Sequence, residues 1–180
     1  AELQIRGIAN LVRLETRNAN IDGCRPITIR DLIKTALRMR PDRIIIGEVR
    51  GAEAADLVGS ALNCGHDGSM STGHANSAAD MLTRLETMML MGMEIPLSAI
   101  RRQIASGVDI IVHLGRLRDK SRKVLQIAEV VGYEDGEIRL STLFSFEETG
   151  KAEGKVQGSL VRKEELIHAD KLKMAGIAPA

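Results

Sequence analysis

The sequence is poor in aromatic residues and in cysteine, and it has no long hydrophobic run. Its 180 residues include one Tyr, two Phe and no Trp. The core must therefore be aliphatic, and the eight Met residues are suited to filling irregular gaps in it. Two cysteines, Cys24 and Cys64, provide no disulfide framework, which is typical of a protein in a reducing compartment. No apolar run approaches the roughly 20 residues that a membrane-spanning helix needs.

An excess of charge of either sign is also absent. The chain has 25 Lys and Arg against 24 Asp and Glu, a formal net charge of +1. This balance provides no general attraction to nucleic acid or to an anionic membrane. The scarcity of aromatic rings also argues against direct binding of single strands, because bases commonly stack on such rings. Hydrophobic content of 44% and charged content of 27% are typical of a globular domain with a real core.

What is present is, first, a short hydrophobic strand that ends in a carboxylate, within residues 40–51. The β-branched run Ile44–Ile46 predicts a strand buried on both faces, and Pro41 ends the helix before it. Gly47 and Glu48 follow directly. Open α/β sheets bind ligands at the carboxyl ends of their parallel strands, so Glu48 is placed to act there as a general base or as an acid near a metal. The alternative is a strand whose polar end simply meets solvent.

A second stretch, residues 65–76, lies one helix further along and is rich in glycine, hydroxyl and imidazole groups. It reads Gly-His-Asp-Gly-Ser-Met-Ser-Thr-Gly-His-Ala-Asn. Taken together, the two stretches resemble the Walker-B box and the His box of the secretion and pilus ATPase superfamily, which powers type II and type IV secretion and type IV pili. The resemblance extends from residue 1 to about residue 177 and looks closest to the CpaF-type branch, which serves tight-adherence pili.

The resemblance implies an ATPase that uses ATP and Mg²⁺, assembles as a homo-hexamer and works at the cytoplasmic face of the inner membrane on a platform protein there. The Walker-B acid matches Glu48, which would orient the attacking water or hold the metal through its shell. His66 and His74, with Thr72, match His-box positions that sense the nucleotide, since imidazole can donate a hydrogen bond to a phosphate oxygen. Of these, His74 and Thr72 are expected nearer the γ-phosphate.

Four further residues are candidates for contacts around the nucleotide. Glu2 corresponds to the last acid of the Asp box beside Mg²⁺, and the alternative is that it belongs to a frayed terminus. Arg13 and Arg17 match arginines that reach a neighbouring subunit's nucleotide, where a guanidinium neutralises developing phosphate charge. Arg50 follows Glu48 closely enough to pair with it or to contact a neighbouring subunit.

The chain departs from the family pattern because it contains no phosphate-binding P-loop, G-x-x-x-x-G-K-[S/T]. ATP and Mg²⁺ are therefore expected to be held mainly by residues outside this chain, which alone should neither bind ATP tightly nor hydrolyse it. The first residue, Ala1, is consistent with a fragment, a processed chain or a truncated reading frame. No metal site is predicted within the chain, because Cys64, His66 and His74 lack zinc-ligand spacing and a fourth partner.

The remaining pattern predicts an α/β fold, a wound sheet with flanking helices followed by an antiparallel strand meander, and the resemblance implies that this sheet is the carboxyl half of a RecA-like one. Alternation over residues 10–17 predicts a half-buried strand. Helices are predicted over residues 28–40, 53–63, 77–91 and 96–106, and the strands of the meander over 108–114, 123–133 and 138–146. We expect residues 1–148 to form a partial RecA-like ATPase domain and residues 149–180 a polar tail, in which 163–173 could form a short helix.

Three functions are compatible with these patterns. The first is a motor ATPase for pilus assembly or protein secretion. The second is an ATPase for conjugative DNA transfer in which other proteins handle the DNA, since no direct nucleic-acid contact is predicted. The third is a non-catalytic interaction module that keeps the fold and assembles with intact subunits. Nucleotide binding separates the first from the third, and salt-sensitive binding to single-stranded DNA would favour the second.

Overall fold

The computed structural model describes residues 3–19, 23–174 and 176–177. Its elements in chain order are α1 Ile29–Arg38, β1 Ile45–Ile46, α2 Ala54–Asp56 continuing into a π-helix Leu57–Leu62, β2 Met70–Ser71, α3 Ala78–Gly92, α4 Leu97–Gly107, β3 Ile110–Arg116, β4 Arg122–Glu134, β5 Glu137–Ala152, β6 Lys155–Arg162 and α5 Asp170–Met174. They form two compact units, one of Ala1–His74 with Leu85–Gln103 and one of Ala75–Arg84 with Ile104–Ala180. None of the helices described has the length and hydrophobicity to cross a membrane.

The first unit contains a pair of short parallel strands. β1 lies beside β2, with Ile46 opposite Ser71. The pairing continues beyond the strands, because the Val49 N–H donates to the carbonyl oxygen of Thr72 over 3.0 Å. Parallel strands end at the same edge of a sheet, so the residues that follow β1 and β2 are brought side by side.

Burial of β1 is one-sided. Ile44 and Ile46 are 7% and 8% exposed, whereas Ile45 between them is 39% exposed. The prediction of a strand buried on both faces is therefore wrong for this chain. Successive side chains point to opposite faces of a strand, and the described residues cover only one of them.

α1 begins where the sequence predicts. Thr28 caps the helix, since the Asp31 N–H donates to its hydroxyl oxygen over 3.2 Å and the Thr28 N–H donates to the Asp31 carboxylate over 2.9 Å. Hydrogen bonds from the hydroxyl and the N–H of Thr28 lower the pKa of Asp31. Ile33 is buried on the inner face. The predicted helix is confirmed and ends at Arg38, slightly earlier than expected.

The helix predicted over residues 53–63 changes type along its length. α2 is a single short turn, and residues 57–62 form a π-helix that contains Gly59. Glycine is a weak helix former, which lowers the cost of leaving α geometry at this point. The Asn63 side chain donates to the carbonyl oxygens of Val58 and Gln103 over 2.8 Å and 2.9 Å. A side-chain amide thus bonds one carbonyl group of the widened helix and one of α4.

Residues 10–17 do not form the predicted half-buried strand. Only Arg17 pairs, in an isolated antiparallel bridge with Ile27. Val12 and Leu14 are 60% and 40% exposed. A strand needs a neighbouring strand to bond its backbone groups, and among the described residues none lies along this segment.

The second unit contains an antiparallel sheet with the strand order β3-β4-β5-β6. The sequence predicts its first three strands but not β6, whose one buried side chain, Val156, lies between exposed polar neighbours. Residue 149, where the predicted tail starts, lies within β5. Glu153 and Gly154 connect β5 to β6 with φ values of 51° and 76°, which are typical of a two-residue hairpin turn. The predicted short helix is reduced to α5.

The same sheet contains a buried charge. Glu129 on β4 is 1% exposed. One oxygen accepts the Ile167 N–H over 2.8 Å and the other accepts the His168 N–H over 2.7 Å. The His168 Nδ1 lies 3.1 Å from the second oxygen. Because a buried carboxylate needs such partners, these contacts fix the segment before α5 to β4.

Candidate functional site

Glu48 lies at the carboxyl end of β1, two residues after the strand ends at Ile46. Its side chain is 12% exposed and is contacted at both oxygens. The Arg50 guanidinium donates to Oε2 over 2.5 Å, and the His74 Nε2 lies 3.0 Å from Oε1. The strand end that was predicted as a site from the sequence therefore carries a carboxylate in direct contact with a guanidinium and an imidazole.

Thr72 and His74 reach this position from the end of β2. The Thr72 hydroxyl donates to the carbonyl oxygen of Gly47 over 2.5 Å, and the Thr72 carbonyl accepts the Val49 N–H. These two bonds hold the His-box strand against the residues on either side of Glu48. The His74 side chain is 81% exposed, so its ring can rotate away from Glu48 without disturbing packing.

His66 lies at the other end of β2. Its carbonyl oxygen accepts the Ser69 hydroxyl over 2.7 Å, and the Ser69 hydroxyl oxygen accepts the Ile44 N–H over 2.9 Å. These bonds place His66 beside the amino ends of the strands, whereas His74 lies beside the carboxyl ends. The structure thus brings His74, and not His66, to Glu48. The nucleotide-sensing role of His66 stays a prediction.

The predicted subunit-bridging arginines Arg13 and Arg17 donate to backbone groups outside this site. The Arg13 guanidinium donates to the carbonyl oxygen of Ile5, and that of Arg17 donates to the carbonyl oxygen of Arg25 over 3.2 Å. Both arginines are exposed. Their role towards a neighbouring subunit stays a prediction. Glu2, the predicted Asp-box acid, lies outside the described residues.

Glu53 was not predicted from the sequence. Its carboxylate oxygen Oε1 accepts the N–H groups of Arg50 and Gly51 over 2.7 Å and 3.1 Å. These groups follow β1 and precede α2, so they lie beyond the hydrogen bonds of the sheet. An acid at the start of a helix is a known signal for satisfying unpaired N–H groups, and it could have indicated this residue.

The chemistry available at the strand end follows from these groups. A carboxylate can orient a water molecule and accept its proton, a guanidinium can neutralise an anion, and an imidazole can donate to one. Within the part of the chain that the structure describes, no group of three or more His, Cys, Asp and Glu side chains could hold a metal ion. A metal here would therefore need ligands beyond these residues.

A parallel strand pair with an acid at its carboxyl edge and a histidine-bearing loop beside it is the arrangement expected at the ligand-binding edge of a wound α/β sheet. The chain belongs to the type II/IV secretion system protein family, whose model matches residues 1–166. It is 40% identical over 135 residues to a putative conjugal transfer protein of Mycobacterium tuberculosis. It is 36% identical over 117 residues to the conjugal transfer protein TrbB of Rhizobium radiobacter.

These matches cover 75% and 65% of this chain but only 38% and 35% of the two relatives. The crystal structure of the VirB11 ATPase from the Brucella suis type IV secretion system in complex with sulphate is similar as well, with a TM-score of 0.54 and 32% sequence identity. That similarity covers 57% of this chain and 33% of the VirB11 chain. The chain thus spans between 33% and 38% of the lengths of these proteins.

The comparisons confirm two predictions. The chain is a member of the secretion superfamily that the two boxes indicated, and its fold is the carboxyl part of a RecA-like sheet followed by an antiparallel meander. The comparisons do not establish the finer assignment to the CpaF-type branch and to pilus assembly.

Proposed function

We propose that the chain is the carboxyl-terminal part of a hexameric motor ATPase that powers pilus assembly or protein secretion. Glu48 carries the proposal. It is a nearly buried carboxylate at the carboxyl edge of a parallel sheet, and a movable guanidinium and a movable imidazole contact its two oxygens. Membership of the type II/IV secretion family supports the same conclusion. The complete protein would act at the cytoplasmic face of the inner membrane on a platform protein.

Glu48 would act on the attacking water. Phosphoryl transfer to water depends mainly on positioning and on neutralisation of charge, so a rigidly placed carboxylate contributes by holding the water in line. Arg50 and His74 keep the carboxylate oriented before the reaction. His74 is exposed enough to exchange its contact with Glu48 for one with a phosphate oxygen. That exchange would let the site respond to the nucleotide.

ATP with Mg²⁺ is the proposed cofactor pair. Mg²⁺ is usually bound by one or two carboxylates together with the substrate phosphates. At this edge the described residues offer Glu48 and no phosphate cradle, so Glu48 fits a contact through the shell of the ion rather than a complete site. The 180-residue chain by itself is accordingly proposed to be inactive.

The test is ATP turnover by the protein encoded by the complete open reading frame in which this chain lies. Glu48→Gln should lower kcat by about 100-fold or more and leave KM nearly unchanged, since it removes a general base and retains shape. Asp42→Asn, which alters an exposed acid before β1, is the matched control and should leave turnover unchanged. Full activity of Glu48→Gln would overturn the proposal. If the 180-residue chain hydrolyses ATP and Glu48→Gln abolishes that hydrolysis, the proposal that this chain alone is inactive is wrong.

Conjugative DNA transfer is the second candidate. The 40% identity to a putative conjugal transfer protein favours it, whereas the sequence of the two boxes favours the tight-adherence pilus branch. A gene deletion separates them. Loss of surface pili with normal plasmid transfer supports the pilus motor, and loss of plasmid transfer with normal pili supports the conjugative one. If both are normal and the complete protein binds no nucleotide, the chain is an interaction module.

A further inference from the structure

The loop that connects β1 to α2 is organised around one side chain. After Val49 makes the last hydrogen bond to the neighbouring strand, the chain leaves the sheet. The next two N–H groups, of Arg50 and Gly51, both donate to Oε1 of Glu53. The Ala54 N–H then donates to the Gly51 carbonyl oxygen over 3.0 Å, which closes the turn into α2. The turn is therefore wrapped around the carboxylate of Glu53.

This arrangement fixes the backbone position from which the Arg50 side chain extends. That side chain is 71% exposed, and its neighbours do not confine it by packing. Holding a long, exposed side chain against one partner costs conformational entropy, and a fixed backbone reduces that cost. A carboxylate that accepts two N–H groups forms charge-assisted bonds, which are stronger than hydrogen bonds between neutral groups. Glu53 thus fixes the main chain from which Arg50 reaches Glu48.

We propose that Glu53 is a positioning residue for Glu48, acting through Arg50. The kinetic consequence of this proposal rests on the ATPase function proposed above. Its structural consequence is independent of that function. Glu53 sets the main chain of Arg50, and the guanidinium of Arg50 sets one oxygen of Glu48. Loss of the Glu53 carboxylate leaves the Glu48 side chain present but poorly oriented.

The structural consequence is tested by amide hydrogen exchange in the 180-residue chain. Glu53→Ala should raise the exchange rates of the Arg50 and Gly51 amides by about tenfold or more, because each loses a charge-assisted bond. Glu53→Gln keeps an acceptor oxygen and should restore most of the protection. Glu94→Ala, which removes an exposed acid of the same unit, is the control and should change neither rate.

The amides of Val49 and Leu57 report whether the effect is local, since they bond Thr72 and the Glu53 carbonyl oxygen. Unchanged exchange at Arg50 and Gly51 in Glu53→Ala would overturn the proposal, and so would an equal rise at all four amides, because that rise reports general loosening. If Glu53→Ala does not fold, Glu53→Leu replaces it, since this variant keeps most of the side-chain bulk without an acceptor oxygen: lost protection at Arg50 and Gly51 alone supports the positioning role, and unchanged protection at both overturns it.

The kinetic consequence is tested in the complete protein by a double-mutant cycle. Glu53→Ala should lower kcat at least about tenfold in the wild-type background and have little further effect in Arg50→Ala. Glu53→Gln should restore most of the activity. Equal effects in both backgrounds would show that Glu53 does not act through Arg50. If the wild-type protein has no turnover, the ATPase function fails, and the exchange result still decides whether Glu53 holds the main chain of Arg50.

Discussion

Two glutamates, one in each unit, show how differently a fold can hold a carboxylate. Glu48 and Glu129 have side chains that are 12% and 2% exposed. The contacts described for Glu48 come from the exposed side chains of Arg50 and His74, which bond rotations can remove. Glu129 instead accepts two consecutive backbone N–H groups, which can leave only if the whole segment moves. Movable partners suit a group that reacts, and backbone partners suit a group that holds the fold together.

The largest effect that this contrast predicts is on stability. Glu129→Ala should lower the free energy of unfolding by about 2–4 kcal/mol, because it leaves two N–H groups unpaired and opens a cavity under them. Urea denaturation followed by circular dichroism measures the change. A loss below about 1 kcal/mol would show that water replaces the carboxylate easily and that the segment before α5 is not held by Glu129.

A smaller loss is expected from Glu129→Gln. The amide keeps one oxygen as an acceptor but turns an NH₂ group towards a backbone N–H donor, so about 1–2 kcal/mol should be lost. Exchange at the Ile167 and His168 amides should rise more than exchange in the centre of β4. A uniform rise across the sheet would contradict a local tether.

Glu48→Gln should affect stability less than either change at Glu129. Its partners Arg50 and His74 are exposed and can be rehydrated, so a loss of no more than about 1 kcal/mol is expected. The urea midpoint of the 180-residue chain tests this without any activity assay. A loss as large as that of Glu129→Gln would remove the distinction between the two carboxylates.

The smallest effect concerns Asp119, a carboxylate held by the backbone but close to solvent. Hydrogen bonds from the Ser121 hydroxyl and from the N–H groups of Val156 and Ser121 lower the pKa of Asp119 to about 2. Since the folded state has the lower pKa, the stabilisation is complete above the ordinary value of 3.8 and is lost as the pH falls towards about 2.

Urea midpoints of the wild type and Asp119→Asn across this pH range measure that contribution. The wild type should lose stability more steeply than Asp119→Asn, which has no titrating group at the turn. If the urea midpoints of the two proteins fall in parallel with pH, the stability of the turn does not depend on the charge of Asp119. Backbone partners would then stabilise a carboxylate only when it is buried.

The sequence allowed prediction of features whose signal is local. Glu48 follows a β-branched run, and its neighbour in space, His74, lies in the glycine-rich stretch of the family, so both could be selected. Thr28 and Asp31 could be recognised as a helix start because their spacing is short. In each case the residues that determine the structure lie within a few positions of one another.

Features that depend on distant partners were not predicted. Glu129 lies between Ala128 and Val130 and accepts its hydrogen bonds from residues near 167. No local pattern around Glu129 indicates partners so far along the chain. β6 was missed because its exposed polar residues hide the one buried position. The alternation at residues 10–17 suggested a strand, but alternation cannot supply the neighbouring strand that would pair with it.

The order of strands in the second sheet also has a kinetic consequence. Each of β3, β4 and β5 pairs with the strand that follows it in the chain, and two-residue turns at Asp135–Gly136 and Glu153–Gly154 connect β4, β5 and β6. The parallel pair β1–β2 must instead close a loop through an intervening helix. Contacts between sequence neighbours cost less chain entropy and form sooner. We therefore expect the meander to assemble early in folding, before the edge that carries Glu48 exists.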